Sequence, residues 1–86
     1  MNNKEKILRR LKIVEGQVRG LQEMIKEGKY CIDVITQTSA VKQALSSVED
    51  TLMEGHLKTC AMDQIKKGRG EKAQAEILKV YKLKRK

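Results

Sequence analysis

No tryptophan, phenylalanine or proline occurs in the 86 residues, and only two tyrosines, Tyr30 and Tyr81, are present. Large aromatic anchors therefore carry neither a core nor a stack of nucleobases. With no proline and six glycines, collagen and proline-rich linkers are excluded. The hairpin signals Asn-Gly and Asp-Gly are absent, while Lys, Glu, Leu, Ala and Gln dominate. An all-α protein is what remains. No apolar stretch is long enough for a signal peptide or a membrane span, and the first residues, Met1-Asn2-Asn3-Lys4-Glu5-Lys6, are charged. We therefore expect a cytoplasmic protein with no membrane partner. In that compartment Cys31 and Cys60 are kept reduced. A metal site, a redox site or two inert buried thiols then fit better than a structural disulfide.

The length allows one domain, residues 1–86. A fold of this size buries only roughly 60% of its unfolded surface, so a lone monomer is marginally stable. The formal charge is +8, and it is unevenly spread. Residues 1–30 hold eight basic and four acidic side chains, residues 31–65 two and five, and residues 66–86 nine and two. Basic ends around an acidic middle suit a phosphate-rich partner such as nucleic acid. The plainer reading is that lysine-rich ends keep a small protein soluble.

Ile7, Leu11, Val14, Val18, Leu21 and Ile25 recur in alternating steps of 4 and 3. This heptad seam predicts a helix over about 4–27, with Gly28 as its stop. Gly16 and Gly20 lie inside it, and close approach of another helix would offset their cost of about 1 kcal/mol each. Val34, Thr38, Val41, Leu45, Val48 and Leu52 repeat the pattern. They predict a second helix over about 31–66, bent near Gly55 and ended before Gly68-Arg69-Gly70. A third, over about 71–83, carries Ala73, Ile77, Val80 and Tyr81 on one face. At about 1.5 Å per residue the second helix spans on the order of 50 Å and the first about 36 Å. The first cannot cover the second, so an apolar seam is left for another copy of the chain. The simplest closed solution is a homodimer whose two antiparallel hairpins form a four-helix core.

His56-Leu-Lys-Thr-Cys60 sets an imidazole and a thiol one helical turn apart on one face. Cys31 starts the same helix, about 43 Å from Cys60 along a straight axis, so the two cannot share a site within one chain. In an antiparallel dimer, Cys31 of one chain can meet His56 and Cys60 of the other. Two thiolates and an imidazole are soft donors, and three of them suit Cu(I) better than four-coordinate Zn(II). The competing reading makes all three simple packing residues on a buried stripe.

Three ordered blocks, Arg10-Leu-Lys-Ile-Val-Glu-Gly-Gln-Val-Arg-Gly20, Tyr30-Cys-Ile-Asp-Val-Ile-Thr-Gln-Thr-Ser-Ala-Val41 and His56-Leu-Lys-Thr-Cys60, resemble the copper-sensing operon repressor family over about residues 5–83. That family also includes nickel/cobalt, formaldehyde and persulfide sensors. The resemblance implies a three-helix protomer, a dimer of dimers, and double-stranded operator DNA bound without a helix-turn-helix. It implies Cu(I) ligation by Cys31, His56 and Cys60, with Tyr30 and Glu76 in the outer shell linking ligand geometry to the third helix. It also implies release of the DNA when copper binds, and control of copper export or homeostasis genes.

His56 is the single histidine, which disfavours the nickel/cobalt branch, whose sensors resemble this chain but use additional histidines. Persulfide sensors lack the His but keep both thiols, so a reactive-sulfur sensor using Cys31 and Cys60 is the alternative. A copper buffer or chaperone without DNA binding is the second. On the DNA side the resemblance assigns Arg10, while the second family arginine falls at Ser47. Lys6, Arg9, Arg19 and Lys42 are further candidates, Lys42 or Lys6 as substitutes for the missing arginine. No acid pair, Ser-His-Asp set or phosphate-cradling loop is visible, so neither an enzyme nor a small-molecule substrate is expected.

Overall fold

The computed structural model describes residues 4–85. Its regular elements are all helical: α1 (Lys4–Lys26), α2 (Cys31–His56), a π-helical turn (Leu57–Ala61), α3 (Met62–Lys66) and α4 (Gly70–Arg85). No strand occurs among the described residues. None of the helices is long and apolar enough to cross a membrane. The second expected helix keeps its ends at 31 and 66, but it is not α-helical all the way. Residues Leu57–Ala61 form the wider i→i+5 turn. His56, Ala61 and Met62 all keep right-handed backbone angles, so the helical path runs on through the turn. α2, the π turn and α3 together make the middle helix of a three-helix chain.

The irregularity begins two residues after Gly55, where the sequence suggested a bend. Gly28 and Gly68 are the two glycines with positive φ, and Gly55 is not among them. Its carbonyl instead accepts a hydrogen bond from the Thr59 hydroxyl at 2.8 Å. Thr36, Thr38 and Thr51 make the same i→i−4 bond inside regular α2, so this bond accompanies the widened turn without by itself accounting for it.

Both chain reversals use one device. At the end of α1, Gly28 takes φ 68°, the Gly28 N–H donates to the Ile25 carbonyl (3.1 Å) and the Lys29 N–H to Met24 (3.0 Å). At the end of α3, Gly68 takes φ 79°, the Gly68 N–H donates to Ile65 (3.1 Å) and the Arg69 N–H to Gln64 (2.7 Å). These are paired 5→2 and 6→1 bonds, which satisfy the last helical carbonyls around a left-handed residue.

The chain divides into two compact units, residues 1–51 and 52–86. In the first, Ile7 and Val14 of α1 are buried, as are Val41 and Val48 of α2. Each pair is seven residues apart, so alternate seam positions form the core. Of the other seam positions, Leu21 and Val34 are half-buried, Leu11, Val18 and Leu45 are 38–41% exposed and Ile25 is 66% exposed, while Ile32 and Ile35 beside the seam exceed half. Gly16 and Gly20 show no close helix approach within the chain. A Cβ at Gly16 would meet only the tip of Arg19, at 3.9 Å, and one at Gly20 nothing within 4 Å. In the second unit Ala61 and Ala73 are almost wholly buried, where α3 turns back into α4. Ile77 and Val80 are half-buried. Tyr81, expected on the same face, is instead exposed, with the Arg85 guanidinium 5.7 Å from its ring centre.

Gly28→Ala forces a Cβ into the left-handed region, where it meets no neighbour within 4 Å. The cost is therefore backbone strain alone, about 1–2 kcal/mol in chemical denaturation. Gly28→Asn should lose less, because asparagine tolerates that conformation. Equal losses for the two would show that φ is not what Gly28 supplies.

Candidate metal centre and nucleic-acid interface

His56 closes α2 and is half-buried, while Cys60 lies inside the π turn with its thiol free and exposed. The sequence asked for an imidazole and a thiol on one face of one turn. The structure supplies this pair where the helix widens, and π turns of this kind gather at functional sites. Thr59 Oγ1, anchored on the Gly55 carbonyl, lies 3.7 Å from Cys60 Sγ. Lys58 and Glu54 pair at 3.0 Å beside it. Both are well exposed, so the pair contributes at most about 1 kcal/mol.

Cys31 is the first residue of α2, in the first unit, and its thiol is also free and exposed. Tyr30 precedes it, 68% exposed. The Tyr30 carbonyl accepts the first helical N–H groups, from Asp33 (3.0 Å) and Val34 (3.2 Å). Both cysteines are thus open to solvent in the single chain, so no packing within it buries them as inert thiols. Among the described residues, no three His, Cys, Asp or Glu side chains come together as a metal-holding group in one chain.

Glu76 is half-buried on α4. Its Oε1 accepts a hydrogen bond from Gln64 Nε2 of α3 at 3.3 Å. Sequence reasoning overlooked Gln64. Gln64 continues the row of His56 and Cys60 by one further step of four, but that spacing alone does not signal its bond to Glu76.

In the first unit, Arg10 is partly buried. Its Nη1 donates to Ser47 Oγ and Thr51 Oγ1, each at 3.2 Å. Thr51 in turn donates to the Ser47 carbonyl at 3.1 Å. Position 47, where the resemblance placed a second arginine, is therefore the hydroxyl shelf on which Arg10 rests. Thr51 is the other residue the sequence did not reveal. Arg10, Ile13, Val14, Gln17, Ala44 and Ser47 line a groove of about 250 Å³ between α1 and α2. Lys6, Arg9 and Lys42 are exposed. Arg19 pairs with Glu15 at 3.6 Å, so its charge is partly matched before any partner arrives.

Comparison with known proteins places this arrangement. The family model described as a metal-sensitive transcriptional repressor matches residues 3–83, and the chain belongs to that family. The copper-sensing transcriptional repressor CsoR of Bacillus subtilis is 47% identical over 79 residues, covering 92% of this chain and 78% of that protein. The copper-sensing transcriptional repressor RicR of Mycobacterium tuberculosis is 51% identical over 65 residues, covering 76% and 68%. The crystal structure of the copper-sensing repressor CsoR with Cu(I) from Geobacillus thermodenitrificans superposes with a TM-score of 0.89 at 41% identity, over 100% of this chain and 90% of the other.

Proposed function

We propose that the chain is a Cu(I)-responsive transcriptional repressor. In its metal-free form it holds operator DNA, and it lets go when copper is bound. The observation that carries this reading is the pairing of half-buried His56 with the exposed Cys60 thiol at the π turn, with a second exposed thiol, Cys31, at the head of the same helix. Membership of the metal-sensitive repressors and the names of the relatives support it. The donor chemistry fits the metal. Cu(I) is a soft monovalent ion that three such ligands satisfy. Cys31 of one chain and His56 with Cys60 of a second copy would hold it.

The half-exposed heptad seam supports an assembly in which two chains form an antiparallel four-helix bundle and pair again as a dimer of dimers. Within that assembly 1–86 acts as one repressor domain in the cytoplasm. Arg10 leads the DNA face, with Lys6, Arg9, Arg19 and Lys42 adding phosphate contacts. Drawing three ligands together across two chains favours a shape that fits DNA less well, with Tyr30 and Glu76 relaying the change. Metal and DNA then oppose each other reciprocally, by the same coupling free energy in both directions. The genes controlled are those of copper export or buffering. A sulfur-responsive repressor is favoured by one observation, that both thiols are free and exposed.

Three measurements test this. Size-exclusion chromatography with light scattering should show a dimer or tetramer at micromolar concentration, and a monomer alone would overturn the assembly. The second uses a palindromic duplex selected from random DNA by the metal-free protein, titrated with Cu(I), Zn(II), Ni(II) and a persulfide donor under mass spectrometry. Cu(I) should release the wild type. Cys31→Ala should keep DNA binding and lose the response, whereas Arg10→Ala should weaken DNA binding at least tenfold while still binding Cu(I). Normal Cu(I) release by Cys31→Ala would remove Cys31 from the site. Release by the persulfide donor alone, with a mass shift linking the two cysteines, would replace copper with sulfur. Third, Ser47→Arg adds a cation beside Arg10, so the slope of log Kobs against log salt should steepen by about 0.9. An unchanged slope would place position 47 off the DNA.

A further inference from the structure

We propose that Gln64 is a positioning residue that couples the ligand-bearing turn to α4 through Glu76, an inference that rests on the metal-responsive reading above. His56, Cys60 and Gln64 succeed one another in steps of four along one helical path, so Gln64 stands one turn beyond the candidate ligand Cys60. Its Nε2 donates to Glu76 Oε1 at 3.3 Å, across from α3 to α4. An ionised carboxylate only accepts, so the amide must turn its nitrogen towards Glu76. That orientation leaves Gln64 Oε1 buried with no hydrogen-bond partner. A buried carbonyl oxygen is costly to leave unpaired, so the amide is held by Glu76 rather than by its own satisfaction.

The surroundings make the link stiff. Ala61 and Ala73, three residues before Gln64 and Glu76 respectively, are 3% and 1% exposed, so the turn before each partner is tightly packed. The π turn lies immediately before α3. A π turn holds one residue more than the α turn it replaces, and closing it swings the succeeding helix by about 100° and 1.5 Å. Any change in the spacing of His56 and Cys60 is therefore delivered to Gln64 as a rotation of α3, and the Gln64–Glu76 bond passes it to α4.

The test begins without metal. Gln64→Met keeps helix propensity and bulk but cannot donate. Hydrogen–deuterium exchange of the metal-free protein should then speed up at least fivefold across the first half of α4. Gln64→Glu combined with Glu76→Gln, which reverses donor and acceptor, should restore protection. Unchanged exchange in Gln64→Met, or no rescue by the reversed pair, would overturn the link. If Gln64→Met fails to fold, Gln64→Asn, one methylene short of Glu76, is read in the same way.

The second arm measures how far Cu(I) weakens binding to the selected duplex. Gln64→Met should reduce that weakening at least tenfold while metal-free affinity stays within threefold. Gln64→Met with Glu76→Ala should be no worse than Glu76→Ala alone, as expected when two residues act as one connection. Wild-type weakening in Gln64→Met, or additive losses in the double variant, would overturn the coupling. Failure of Cu(I) to release the wild type would instead sink the copper reading, with the exchange data still deciding whether Gln64 holds α4.

Discussion

A helix can aim two side chains four residues apart at one small ion only if its path stays continuous between them, and that continuity is the constraint on which the chain is organised. The backbone between Cys31 and Lys66 changes its hydrogen-bond step at Leu57–Ala61 without leaving the right-handed region. A true break would have sent His56 and Cys60 in different directions. A perfectly regular α-helix would have kept them together with no slack in their spacing. The widened turn, with Thr59 bonded back to Gly55, keeps the pair on one side and places the irregular part of the helix at the candidate ligands.

The same economy governs the rest of the surface. Eighty-six residues cannot bury both an apolar seam and a working site, and the core of the first unit is four aliphatic side chains spaced by sevens. The half-open seam positions between them are the surface that a second copy would cover in the proposed assembly. Arg10 obeys a related logic. A guanidinium left loose on a helix loses rotamer entropy when it meets a phosphate, whereas one already resting on Ser47 and Thr51 has given up part of that freedom in advance. On the proposed DNA face, two hydroxyls stand in place of the second charge that the resemblance implies, so that face would trade electrostatic strength for a better-positioned cation.

What the sequence disclosed depended on whether the physics leaves a mark in residue type. Gly28 and Gly68 were legible because a left-handed helix end demands glycine and little else. The heptads of α1 and α2 were legible because burial at Ile7, Val14, Val41 and Val48 repeats with helical period. Cys31, His56 and Cys60 stood out by residue chemistry, and both cysteines are free and exposed in the single chain. The π turn left no such mark, since Leu-Lys-Thr-Cys-Ala reads as ordinary helix and the residue type that suggests a bend is the neighbouring Gly55. Tyr81 was misplaced because a residue at the edge of an apolar stripe can tip either way, and Arg85 offers its ring a partner outside. Gln64 and Thr51 were missed because their roles exist only across helices. No periodicity along one helix announces a hydrogen bond to Glu76 twelve residues later, or to Arg10 forty-one residues earlier.

These cross-helix bonds give so small a chain a route by which the proposed binding would become a response. A ligand shifts a conformational equilibrium only by its differential affinity for the two states. A metal site confined to one rigid turn would bind without consequence. In this chain the candidate ligands border a turn that can change its step, and the residue one turn further on is tied to the neighbouring helix by a single long side chain whose other polar end is unsatisfied. A fully satisfied amide would resist any rearrangement, because every alternative would cost it a bond. One that starts a bond short has less to lose by moving, which makes this corner of the second unit the place where the work of ligand binding can leave the turn and enter α4.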